Sequence, residues 1–198
     1  MGKIKLLSII AVFIMFSACK TVTSYNPIDV KNKSSIDAVL PGLWYGLDEK
    51  EKIYVFIRIR MDGYLDITGA DSSFKYDEGK IFAYPSFLGE DRFLNINATT
   101  NDSQKLDLSK NFLFINYQIK NNNNTIELRQ MKFEFFVDAV EKKLIKGEVK
   151  YSASKDKKYK APSDVIISDT SENIRKFLKE NSKEKYLEDK KIILNRIK

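Results

Sequence analysis

The run Lys52-Ile53-Tyr54-Val55-Phe56-Ile57-Arg58-Ile59-Arg60 decides the fold class. Ile53, Val55, Ile57 and Ile59 fall on one side of an extended chain, and Tyr54, Phe56, Arg58 and Arg60 fall on the other. A period of two held this long is a β-strand. Working outward, Met61-Asp62-Gly63 reads as a hairpin turn into a second strand at 64–68. On the other side, Gly42-Leu43-Trp44-Tyr45-Gly46-Leu47 opens the series after Pro41. Further strands are expected at 73–76, 80–85, 92–97, 112–119, 125–129 and 131–136, with the Asn121–Asn124 tract as a polar turn. Many short strands joined by polar turns, with no internal repeat, favour an antiparallel barrel or sandwich over a parallel sheet.

The strands carry large apolar side chains on both faces, so the sheet is either covered on both sides or closed on itself. Tyr54, Phe56, Phe82, Tyr84, Phe112, Phe114 and Phe133 are the candidate lining of a cavity for a small apolar ligand. Packing of the same rings into a solid core is the competing account.

The pattern changes near Val137. Residues 137–145 fit a short helix stopped at Gly147, and 148–152 and 164–168 fit strands. Asp169 is the expected N-cap of a helix over 171–182, with Glu172 completing a capping box. Ile174, Phe177 and Leu178 give that helix one narrow apolar stripe, suited to docking on the sheet. Residues 191–197 read as a final strand.

The first residues read as an address. Met1-Gly2-Lys3-Ile4-Lys5 is basic, Leu6–Phe16 is apolar apart from Ser8, and Ser17-Ala18 are small. This is the layout of a secretory signal, and the apolar run is too short for a membrane span, which needs about 20 residues. Leu6 stands where a myristoylation motif has Ser or Thr. Phe16-Ser17-Ala18-Cys19 resembles the lipobox of bacterial lipoproteins, with Phe16 in place of the usual Leu. The resemblance implies that Cys19 is thioether-linked to diacylglycerol and becomes the mature N-terminus. It also implies a protein of the bacterial cell envelope, held in the bilayer and facing the periplasm or the cell surface. Residues 1–18 are then the signal peptide, 19–40 a polar, flexible tether, and 41–198 a single domain. Removing the signal lowers the net charge of +7 by two, through Lys3 and Lys5.

Gly42-Leu43-Trp44 resembles the Gly-x-Trp signature of lipocalins and other calycins. The resemblance implies an antiparallel β-barrel whose Trp44 plugs one end, with a basic residue from a late strand, Arg196, stacked over it and the C-terminal helix packed on the outside. The whole chain also resembles uncharacterised envelope lipoproteins that open with Gly-x-Trp and end in strand, helix, strand. Neither likeness carries an activity.

The composition removes most chemistry. His is absent, which excludes His-based triads and His-ligated zinc, and the single Cys excludes an intrachain disulfide and Cys-rich zinc sites. There is no P-loop, no Gly-x-Ser-x-Gly and no His-Glu-x-x-His. Asp48, Glu49 and Glu51 cluster without calcium-loop spacing, as in a solvated turn. The expectation is a non-enzymatic protein with no cofactor and no metal. Lysines crowd 142–160, a composition that suits a solvated loop or, as a working surface, anionic lipid headgroups. Export and scarce Arg argue against nucleic acid. Two functions remain: binding a small apolar ligand inside the barrel, or docking an envelope protein on a barrel with a solid core.

Overall fold

The computed structural model describes residues 20–29, 37–48, 53–61, 64–70, 76–97, 111–153 and 160–197. Residues 1–18, Cys19, the Asp62-Gly63 turn and 73–75 lie outside the described residues, as do the side chains of Tyr54 and Phe82.

The protein is mainly β, with a few helices. Its strands are β1 (Thr21–Ser24), β2 (Gly42–Asp48), β3 (Ile53–Ile59), β4 (Tyr64–Ala70), β5 (Tyr76–Leu88), β6 (Asp91–Asn97), β7 (Phe112–Lys120) and β8 (Thr125–Gln130), then β9 (Gly147–Ala153), β10 (Lys160–Ile167) and β11 (Ile192–Arg196). The helices are α1 (Phe133–Glu141), α2 (Ser171–Glu180) and α3 (Lys183–Tyr186). From β2 to β8, each strand pairs antiparallel with the next in sequence, and β11 lies antiparallel between β8 and β2. β1 pairs parallel with β10, touches the start of β7, and leads to β9 at the sheet's edge.

The long β5 joins two expected strands. It pairs with β4 over Tyr76–Phe82 and with β6 over Phe82–Leu88. Pro85, which has no N–H to give, stands in the half that β4 no longer reaches. The turn after β7 needs its asparagines. Asn121, Asn122 and Asn123 have φ of 50°, 51° and 67°, a left-handed region that Asn tolerates better than most residues.

Alternation along β7 separates two cores. Leu113, Ile115, Tyr117 and Ile119 pack on one side with Trp44, Ile57, Leu94, Ile126 and Leu194. Phe112 and Phe114 turn to the other side, onto α1, α2 and α3. Ile174, Phe177 and Leu178 are buried there, so the C-terminal helix docks through its expected stripe.

Three expectations are corrected. Residues 131–136 were expected as a strand, but α1 begins at Phe133. The rings obey a helical period: Phe133, Phe136 and Ala139 are buried on one stripe, which turns Phe135 toward Phe177 at 5.6 Å between centroids. The tether over 19–40 is not a free linker where it is described. Val22, Thr23, Ser24 and Ile28 are buried, and the Ile28 N–H donates to Asn95 Oδ1 at 2.8 Å. Asn95 is fully buried and donates in turn to Ser86 Oγ at 2.5 Å, so the segment is held by satisfied polar groups. The N-cap of α2 is Thr170, which accepts from Asn173 N, and the helix ends at Glu180 rather than 182.

Asp169 has a different task. Its carboxylate accepts from the backbone N–H of Lys146 and Thr170, both at 3.0 Å, and from Asn173 Nδ2 at 2.6 Å. Burial pushes its carboxyl up, and these three bonds more than offset that, holding it below the ordinary Asp value. The folded state is the better acid, so the contribution is present above about pH 4 and is lost as pH falls through the folded-state value. Asp169→Asn is expected to lower stability by about 1–2 kcal/mol at neutral pH. Urea melts at neutral and strongly acid pH check this, because the gap between the two proteins should narrow in acid.

Candidate functional site

The polar side chains with the most partners gather where the chain enters β2. Asp37 to Leu40 forms a turn closed by Leu40 N–H on the Asp37 carbonyl at 3.0 Å. The Asp37 carboxylate is nearly buried and accepts from Arg92 Nη1 at 2.9 Å, the Tyr117 hydroxyl at 2.9 Å and Val39 N at 3.1 Å. Tyr117 is fully buried. Burial pushes its phenol well above the usual range, and the adjacent Asp37 charge adds to this, so the hydroxyl stays a donor.

Trp44 lies next to this turn, fully buried, and its indole Nε1–H donates to the Leu40 carbonyl at 2.9 Å. The Arg196 guanidinium carbon sits 4.3 Å from the Trp44 ring centroid, within cation–π range. The two residues are direct cross-strand partners between β11 and β2. Arg196 also donates from Nε to Asn123 O at 3.0 Å, from Nη1 to Pro41 O at 3.3 Å and from Nη2 to Val39 O. One side chain thus ties the turn before β2, the Asn turn after β7 and the indole face.

Gly42 makes room for it. Its φ is +151°, and a Cβ there would lie 3.0 Å from Arg196 Nη1. Gly42→Ala is expected to cost about 1–3 kcal/mol and to loosen Arg196 from Trp44. Trp44 is the chain's one tryptophan, so its emission reports the change directly and a urea melt gives the stability.

This cluster works as a clamp. Its carboxylate accepts from three donors and its guanidinium donates to three carbonyls. Among the described residues, no group of three or more His, Cys, Asp or Glu stands where it could hold a metal ion.

Among the described residues, the expected ligand-lining rings do not share Trp44's side of the sheet. Phe56 opposes Tyr45 across β2–β3 and is half-buried on the outer side, whereas its neighbour Ile57 faces Trp44. Tyr84 stacks edge-on to Phe112 at 6.4 Å and donates its hydroxyl to the Asp29 carbonyl. Phe114 and Phe133 belong to the helix-side core. The side chains of Tyr54 and Phe82 lie outside the described residues. Alternation explains the correction: the even-numbered rings at 56, 84, 112 and 114 all point away from the face that carries Trp44.

Sequence reading missed an outward feature. Leu43 and Tyr45 on β2, Ile193 on β11 and Ile197 just after it are 42%, 39%, 42% and 36% exposed. Asn195 opposes Tyr45, and the Ile197 N–H bonds to the Leu43 carbonyl at 2.9 Å, so the four share one outer surface with Phe56 beside Tyr45. Part of the signal was available: Leu43, Tyr45 and Ile193 alternate with the core residues Trp44, Ile192 and Leu194.

No helix among the described residues is long and apolar enough to cross a membrane. No protein-family model, curated protein or solved structure matches this chain.

Proposed function

We propose that this is a non-enzymatic lipoprotein of the bacterial cell envelope, anchored through acylated Cys19, whose body docks another envelope protein. The body is read as a calycin-like barrel of β2–β8 and β11. The succession of antiparallel pairings from β2 round to β11 and back supports that reading, as does the Arg196–Trp44 stack at the entry to β2. The lipobox-like Phe16-Ser17-Ala18-Cys19 supports the anchor.

The exposed apolar surface of Leu43, Tyr45, Ile193 and Ile197 carries the docking reading. Adjacent large apolar side chains on one face mark interaction sites more often than scattered ones do. The described side chains on Trp44's face pack on one another, and the lining rings that are described are engaged elsewhere, which favours a solid core over a ligand cavity.

A photo-crosslinking residue at Tyr45, in intact cells, is expected to give one discrete adduct. The same probe at exposed Lys179 on α2 should give none, and Leu43→Asp should abolish the Tyr45 adduct. An absent adduct, together with a small apolar molecule retained in the native mass spectrum, would replace docking by ligand binding.

A further inference from the structure

Lys20 is fastened to the body. Its Nζ lies 2.8 Å from Glu134 Oε1 and 5.3 Å from the Phe133 ring centroid at the start of α1. The carboxyl of Glu134 is held below the usual range chiefly by that Lys20 bond. Lys132 is the N-cap residue of α1, directly before Phe133. β1 begins at the next residue, Thr21. Cys19 is outside the described residues, but a single peptide link, about 3.8 Å between Cα atoms, joins it to Lys20.

The parallel pairing of β1 with β10 fixes what else lies at this end. Thr21 is level with Asp164, and β10 extends back from there to Lys160, whose partner is Ala153 at the end of β9. At about 3.3 Å per residue, Lys160 lies roughly 13 Å beyond the level of Thr21, while Cys19 reaches no more than about 7 Å beyond it. An anchor at Cys19 therefore brings the β9–β10 end to the bilayer surface. Lys160 is exposed there, Lys20 follows Cys19 in the chain, and Lys132 adjoins Phe133, over whose ring Lys20 stands. Lysines next to an acyl anchor add electrostatic attraction to anionic lipid.

We infer that the end of the molecule bearing Lys20, Lys132 and Lys160 seats directly on the anionic phospholipid surface that holds the anchor, its ammonium groups meeting lipid phosphates. The inference rests on the acylation of Cys19 proposed above.

The test uses the full acylated protein from its own membrane, with one fluorophore on Ser152→Cys, at the seated end, or on Leu144→Cys, in the turn before β9. Each is reconstituted into vesicles of equal phosphatidylcholine and phosphatidylglycerol carrying a headgroup quencher. The Ser152 label should be quenched severalfold more than the Leu144 label. That difference should shrink in phosphatidylcholine alone, and should vanish when a flexible Gly/Ser segment is inserted between Cys19 and Lys20. Equal quenching at both positions, or quenching indifferent to phosphatidylglycerol, would overturn the seating while leaving the anchor intact. Protein that washes off the vesicles with salt would overturn the anchor, and the seating with it.

Discussion

Trp44→Ala is expected to lower stability by about 3–5 kcal/mol, the range for removing a fully buried large aromatic. Against a typical total of about 5–15 kcal/mol, this leaves a domain close to its unfolding threshold. Three losses combine. The cavity opens among Ile57, Leu94, Ile115 and Leu194, the Leu40 carbonyl loses its indole donor, and the Arg196 guanidinium loses the ring beneath it. Trp44→Phe separates them, because it keeps the ring and removes the hydrogen bond, and should cost about 1–2 kcal/mol. Arg196→Ala should couple to either change by more than about 0.5 kcal/mol in a double-mutant cycle, since the two side chains touch. Urea midpoints followed by circular dichroism supply the comparison, the native fluorophore being lost in the Trp44 variants.

Asp37→Ala should be the second most damaging change, at about 2–4 kcal/mol. The carboxylate is the partner of a fully buried Tyr117 hydroxyl, and removal leaves that hydroxyl without its acceptor. Arg92 loses its ion pair as well, but its side chain is 39% exposed, so water replaces much of that interaction. Tyr117→Phe alone should cost about 1 kcal/mol, because it removes the hydroxyl along with its bond. In the double variant Asp37→Ala/Tyr117→Phe no hydroxyl is stranded, so it should be less destabilised than the sum of the two single variants. Strict additivity would assign the loss instead to the loop over 37–40.

Much of the architecture was legible because it rests on alternation. Ile53 to Ile59 and Leu113 to Ile119 repeat every second residue, and both form strands, with the odd positions described in each facing Trp44. The Trp44–Arg196 stack was legible through a three-residue signature and one basic residue in a late strand. Helix α1 was misread because three phenylalanines within four residues satisfy a strand period as readily as a helical one. Only Ala139, one turn further on, shows which stripe is buried. Strand β1 escaped notice because Thr21-Val22-Thr23-Ser24 offers a single apolar residue. Its burial depends on ladder bonds to β10 and on the Asn95 clasp of Ile28, both made by residues far away in the chain.

The site was less legible for the same reason. Asp37 and Asn95 look like turn residues in isolation, and their roles come from Arg92, Tyr117, Ser86 and Ile28. Which face an aromatic ring takes depends on register, and the described rings at 56, 84, 112 and 114 lie on the face opposite Trp44. The same alternation leaves Leu43, Tyr45 and Ile193 on the outside of β2 and β11.

Anchoring and seating both depend on what is attached to residue 19, and the mass of the N-terminal peptide, from protein extracted from its native membrane, tests that most directly. The predicted result is a peptide that begins at Cys19 and carries the added mass of a diacylglyceryl thioether, with 1–18 absent. A peptide that begins elsewhere, or a Cys19 whose thiol still reacts with a maleimide, would contradict it.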